Sequence, residues 1–235
     1  MSATLFSLKP ISDAPSGQCP QVRRARRYLA ATHGSVTGLL DSYNLVREKR
    51  VESQGHGAGR LSRDELDLLR AALIFTSSGL DACCQTLVAE SLPEMVRHGG
   101  TARTLFERWL EAQVHQPTSG FIAAIKDPNP RAEFINLYIQ SKTKASYQGT
   151  TDIKERVRDL LGVSKASVPD ARIKALDGFF TARNDIVHRL DYVTPQGPST
   201  KRHHRSPADV VKECDRVLAV TDNLIHATAD ILKSR

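Results

Sequence analysis

The 235-residue chain predicts an all-α fold on three observations. Apolar residues recur at steps of three, four or seven over long segments, the period of a helix with one buried face. Strand-like alternation and the two-residue turns of β-hairpins are missing. Helix start and stop signals punctuate the remainder.

Residues 1–19 hold Pro10, Pro15, Gly17 and several serines without a sustained period, and read as an arm, either loose or docked. From Pro20 a helix is expected, with Leu29, Val36, Leu40, Tyr43 and Val46 along one side. Its opening arginines (Arg23, Arg24, Arg26, Arg27) are read as a solvated face. Gln54 to Gly59 is a glycine-rich loop. Ser62 and Glu65 then form a capping box, in which each side chain satisfies the other's free backbone N–H. The helix that follows is expected to run to about Ser91, before Pro93, on a stripe of Leu66, Leu69, Leu73, Leu80, Cys84 and Leu87. Asp81 interrupts it: Ile74 and Val88, one heptad away on either side, are apolar. Ser77, Ser78 and Gln85 complete a polar island there.

After Gly99-Gly100, Thr101 to His115 is a helix carrying the only tryptophan, Trp109. Gln116 to Arg131 is broken by prolines and reads as an insertion; its Phe121–Ile125 run is too short to classify by period. Arg131–Ser141 and Thr151–Leu161 are helical, the second closed by Gly162, with a polar loop between them. A helix from Pro169 or Asp170 is expected to carry the chain through Tyr192. The loop 194–206 holds the basic run Lys201-Arg202-His203-His204-Arg205, and Ser206-Pro207 opens the last helix. That helix shows one stripe of Val210, Cys214, Val217, Thr221, Leu224, Thr228 and Ile231, and a parallel one of Val211, Leu218, Ile225 and Leu232. So broad an apolar arc fits a bundle or a surface shared across a dimer. Residues 20–235 are therefore expected to form one helical domain.

The net charge of +7 favours an anionic partner, nucleic acid first. Cys19, Cys83, Cys84 and Cys214 form no CxxC pair and have no metal-ligand spacing to histidine, the pattern of a reducing compartment. Neither a leader nor an uninterrupted apolar span is read, so a cytoplasmic location without membrane partners is expected. Neither metal nor cofactor is called for. Ser141 and Lys144 match a nucleophile dyad by spacing only, and the glycines at 55, 57 and 59 lack the lysine of a phosphate loop.

The chemistry concentrates in Leu176–Tyr192. Arg183-Asn184 is followed by His188 in a segment otherwise apolar enough to be core. On a regular helix, Ile173, Leu176, Phe180, Val187 and Leu190 make one stripe, with Arg183 inside it. A guanidinium there needs an acid or a phosphate. Asn184 and His188 share the neighbouring strip, and Tyr192 continues it one turn on. Arg183 and His188 diverge by about 140° around the axis. Packing of this helix against the earlier apolar one would let Asp81 accept from Arg183 or Asn184. A buried polar network that only fixes helix register is the competing reading of the same residues.

Arg183-Asn184-Asp185-Ile186-Val187-His188 resembles the R-x4–6-H signature of HEPN-domain proteins, within them the RiboL-PSP-like branch. The segment Ala71–Ala82, ending in Leu80-Asp81-Ala82, resembles that superfamily's acid-bearing helix. The resemblance spans the two central helices and by topology most of 61–235, which makes the helix before it an N-terminal addition and the middle helices insertions. It implies a HEPN-like helical bundle and metal-independent RNA cleavage at a composite site where two subunits meet. One expected variant is absent: where some members carry tyrosine two residues after the histidine, this chain has Leu190, and tyrosine comes only at Tyr192.

The implied reaction follows from RNA's own 2′-hydroxyl, which attacks the adjacent phosphate to leave a 2′,3′-cyclic phosphate and a 5′-hydroxyl. His188 suits the proton transfers and Arg183 the phosphoryl oxygens, with Asn184 orienting them or donating to phosphate. One histidine per chain is short of an acid and a base together; a twofold dimer supplies the second. Arg189, Lys201, Arg202 and Arg205 are the candidate contacts to RNA phosphates, against a reading of the loop as merely solvated. The family analogy places such an enzyme as a toxin or antiviral effector, held by an antitoxin or regulatory protein. The alternative is a catalytically inactive module that binds a partner protein or nucleic acid.

Overall fold

The computed structural model describes residues 5–15, 19–54 and 60–234, and among them the fold is all-α. Two long helices, α1 (Pro20–Gln54) and α2 (Arg63–His98), make the most extensive pair. Then come α3 (Thr101–His115), α4 (Ser119–Ile125), α5 (Pro130–Thr143), α6 (Thr150–Ile153) running into a π segment (Lys154–Asp159), α7 (Asp170–Lys174), α8 (Asp177–Arg189) and α9 (Pro207–Lys233). The expected loop at Gln54–Gly59 lies, beyond Gln54 itself, outside the described residues.

The helix α2 is central, touching α1, α3, α5, α8 and α9. That explains its composition, since a helix covered on several sides is apolar on several faces. It is long and apolar enough to cross a membrane by length and composition alone, yet half of its most apolar window is buried inside the bundle. The capping box is present: Ser62 Oγ accepts from Glu65 N at 3.2 Å, and Ser62 N donates to Glu65 Oε2 at 2.6 Å. Glu65 is fully buried and also pairs with Arg50, tying the end of α1 to the start of α2.

Two boundaries differ from expectation, and one run left unclassified by period takes a definite form. Pro93 does not end α2, which continues to His98. Proline removes one donor, to the Ala89 carbonyl, and Ala89 is only half-buried, so the carbonyl's loss is bearable there. The Phe121–Ile125 run is the helix α4, capped by Thr118. The segment from Asp170 is broken into α7 and α8 by a turn at Ala175-Leu176.

The broad arc of α9 packs within the chain, against α1 and α2. The arm is docked over 5–15. Phe6 exchanges two hydrogen bonds with Asn44, at 3.1 and 2.9 Å, and its ring meets Tyr43 edge-on. Lys9 N donates to Asp215 and Ser12 N to Asp222 on α9. All four cysteines are buried free thiols, and burial pushes the Cys83 and Cys214 thiols up to about 12.

Candidate active site

Arg183, Asn184 and His188 all lie on α8, which packs on α2 and α9. Its buried side is Phe179, Phe180 and Ala182, continuing Ile173 and Leu176 from the preceding turns, with Ile186 partly covered. The expected stripe is therefore wrong at its far end: Val187 is 45% and Leu190 63% exposed. The helix emerges from the bundle at about Ile186, and the side chains of its last turn, from Val187 on, are exposed among the described residues.

Arg183 is half-buried at that exit. Its Nη1 donates to Asn184 Oδ1 at 2.9 Å, and no carboxylate among the described residues pairs with it. Asn184 thus contacts the guanidinium beside it. Asp81 does not. Its Oδ1 accepts from Tyr147 N at 2.7 Å and its Oδ2 from Gln85 at 2.9 Å. The expected pairing of Asp81 with Arg183 or Asn184 is not formed, because the acid anchors the loop between α5 and α6 instead. Asp81 is a positioning residue for that loop.

His188 is exposed on the last turn of α8. Tyr192 does not continue its strip, as helical spacing implied. The helix ends at Arg189, and Leu190 and Asp191 both take the left-handed conformation, at φ 49° and 64°. Side chains other than glycine, asparagine and aspartate rarely adopt it, so Leu190 is a costly residue at this turn. The turn swings Tyr192 into a bridge with Arg202, whose guanidinium lies 5.4 Å from the tyrosine ring centroid.

The basic loop folds back beside α8. Val193 N donates to Lys201 O at 3.0 Å and His203 N to Asp191 O at 2.8 Å. The clasp is electrostatic. Asp191 is fully buried and accepts from Arg70 Nε at 2.8 Å and Arg205 Nε at 3.2 Å. Arg70 also donates to Asp67 and to the His203 carbonyl, and Arg202 pairs with Asp67 at 3.3 Å. Arg189 and Arg205 both reach Asp185, each at 3.8 Å. Of the four cations expected to hold RNA, Arg202, Arg205 and Arg189 therefore have intramolecular acids. Lys201 alone has none among the described residues.

Sequence reasoning missed Asp191 and Arg70. A signal existed: Arg70 sits beside Leu69 in the most apolar helix, a charge where burial demands a partner. Its partner lies 121 residues away, beyond the reach of spacing arguments. A scan against family models and searches of the curated proteins and of the solved structures returned no significant match for this chain.

Proposed function

We propose that the chain is a metal-independent endoribonuclease of the HEPN type, active as a dimer. The observation that carries this reading is the last turn and a half of α8. A half-buried guanidinium, held by its neighbour's amide and lacking a carboxylate partner among the described residues, shares that helix end with an exposed imidazole. Around them Val187, Leu190 and Val193 are uncovered, each by 45% or more. Exposed apolar side chains grouped beside a guanidinium that lacks an acid support a surface completed by another molecule.

A second copy is the occupant that the chemistry asks for. Arg183 and His188 diverge by about 140° on one helix, so one subunit cannot aim both at one phosphate from a single face. Across a twofold axis, Arg183 of each subunit can face the phosphate while the two His188 residues serve as base and acid. The 2′-oxygen loses its proton to one imidazole and attacks phosphorus; the 5′-oxygen leaves with a proton from the other. Arg183 neutralises the charge on the phosphoryl oxygens as the phosphorane forms.

The test is end-group analysis of RNA incubated with the purified chain and a chelator. The expected ends are 2′,3′-cyclic phosphate and 5′-hydroxyl, and the rate should fall about 100-fold or more with Arg183→Lys, which keeps the charge but loses the planar fork. Products with 5′-phosphates, or activity only with a divalent metal, would overturn it. One observation favours a binding module instead: the clasp commits Arg202 and Arg205 to structure around an intact fold. Under that reading the chain binds a partner protein or nucleic acid and cleaves no RNA.

A further inference from the structure

A groove opens beyond Tyr192, on the far side of the clasp's turn from α8 in sequence. It measures about 430 Å³, and its lining includes Arg60, Arg63, Tyr192, Arg202 and His204. It runs on into a second depression of about 830 Å³ that shares Arg60, Arg202 and His204 and adds Lys201. Two segments far apart in sequence, the start of α2 and the loop after α8, thus converge on one concave, cationic surface.

The charge there is not balanced. Among the described residues no carboxylate lines either depression. The nearby acid is Asp67, shared among Arg63 at 3.6 Å, Arg70 at 2.8 Å and Arg202 at 3.3 Å. Asp191 is buried beneath and already divided between Arg70 and Arg205. Arg60 and Lys201 have no acidic partner among the described residues. A concave surface lined by one sign of charge focuses its potential outward and concentrates counter-ions. Two adjoining depressions sharing a cationic wall suit an extended polyanion better than a compact one.

We propose that this groove binds the phosphodiester backbone of single-stranded RNA, at a site separate from Arg183, Asn184 and His188. The choice of RNA rests on the function proposed above. Arg60 and Lys201 supply the two uncommitted phosphate contacts, while Arg202, fixed by Asp67 and Tyr192, holds the wall in shape. The clasp of Asp191 by Arg70 and Arg205 then has a purpose beyond stability, since it fixes the loop that carries half of the site.

The test uses the full chain carrying His188→Ala, so that RNA survives, and fluorescence anisotropy with a labelled single strand of roughly 12 nucleotides. Removing one cation that pairs with a phosphate is expected to weaken binding about fivefold at about 0.1 M salt and to flatten the log–log salt slope by about 0.7. Arg60→Gln with Lys201→Gln should therefore cost about 25-fold and about 1.4 in slope. Arg108→Gln with Lys126→Gln, an equal charge change on exposed side chains elsewhere, should leave both unchanged. Equal losses in the two pairs would mean diffuse attraction and overturn the proposal. So would unaltered binding in the Arg60/Lys201 pair, or adenosine monophosphate competing as well as the oligonucleotide. Intact groove binding beside an absence of cleavage in the unmutated chain would instead sink only the nuclease reading.

Discussion

Asp191 carries more of this structure than any residue of the motif itself. It is a fully buried carboxylate joining α2, the end of α8 and the basic loop through Arg70 and Arg205. Removing one member of a buried ionic cluster leaves the others uncompensated. Asp191→Asn keeps the shape, and asparagine tolerates the left-handed φ of 64°, so only the charge changes. The expected loss is about 3 kcal/mol or more in denaturant midpoint measurements. A change under about 0.5 kcal/mol would show that the clasp contributes nothing net. Much else at this scale was legible in the sequence. The capping box at Ser62 and Glu65 and the buried Cys83 and Cys84 lie where local pattern placed them. What was illegible needed partners distant in sequence: Asp81 turned to Tyr147, and Arg205 to Asp191.

At the scale of elements, the α1–α2 crossing depends on Gly79. A Cβ there would fall on the Thr32 side chain, with the threonine Cβ only 2.6 Å away, so the helices meet where one has no side chain. Gly79→Ala is expected to cost about 1 to 3 kcal/mol in thermal or denaturant unfolding, despite alanine's better helix propensity, with Thr32→Ala recovering part of it. A stabilised Gly79→Ala chain would contradict this packing. The π segment has its own dependence on pH. Arg158 is fully buried, and its hydrogen bond to Asp170 holds that exposed carboxyl below the usual carboxylate range. A depressed carboxyl stabilises above its unfolded pKa and ceases to as pH falls through the folded one. Asp170→Asn should therefore be less stable than the parent at neutral pH, with the difference closing below about pH 4. A difference constant across that range would exclude the pairing. The long helices and their order were readable from periodicity; α4, the π segment and the breaks were not. Pro93 inside α2 and the turn dividing α7 from α8 depend on which carbonyls face water and which side chains find room.

Among the described residues the helices pack around α2 and α9, and the end of α8 is left exposed. That asymmetry is where the proposed dimer belongs. Leu190 is both 63% exposed and held at φ 49°, so within one subunit it adds backbone cost and no burial. Leu190→Asn should leave thermal stability unchanged or raise it by up to about 1 kcal/mol, while weakening self-association in sedimentation. Loss of subunit stability without loss of association would place Leu190 in the monomer's own core. The all-α class was legible from period and punctuation alone. The proposed composite site rests on a shortage in the sequence, one histidine and one arginine set apart around the helix, and a sequence shows no second copy. The central claim is that His188 performs proton transfer to and from RNA. The most direct measurement compares growth and RNA integrity on expression of the unmutated chain and of His188→Ala at matched protein levels. Growth arrest with fragmented RNA is predicted for the first and neither for the second; unchanged arrest and fragmentation with His188→Ala would contradict the claim.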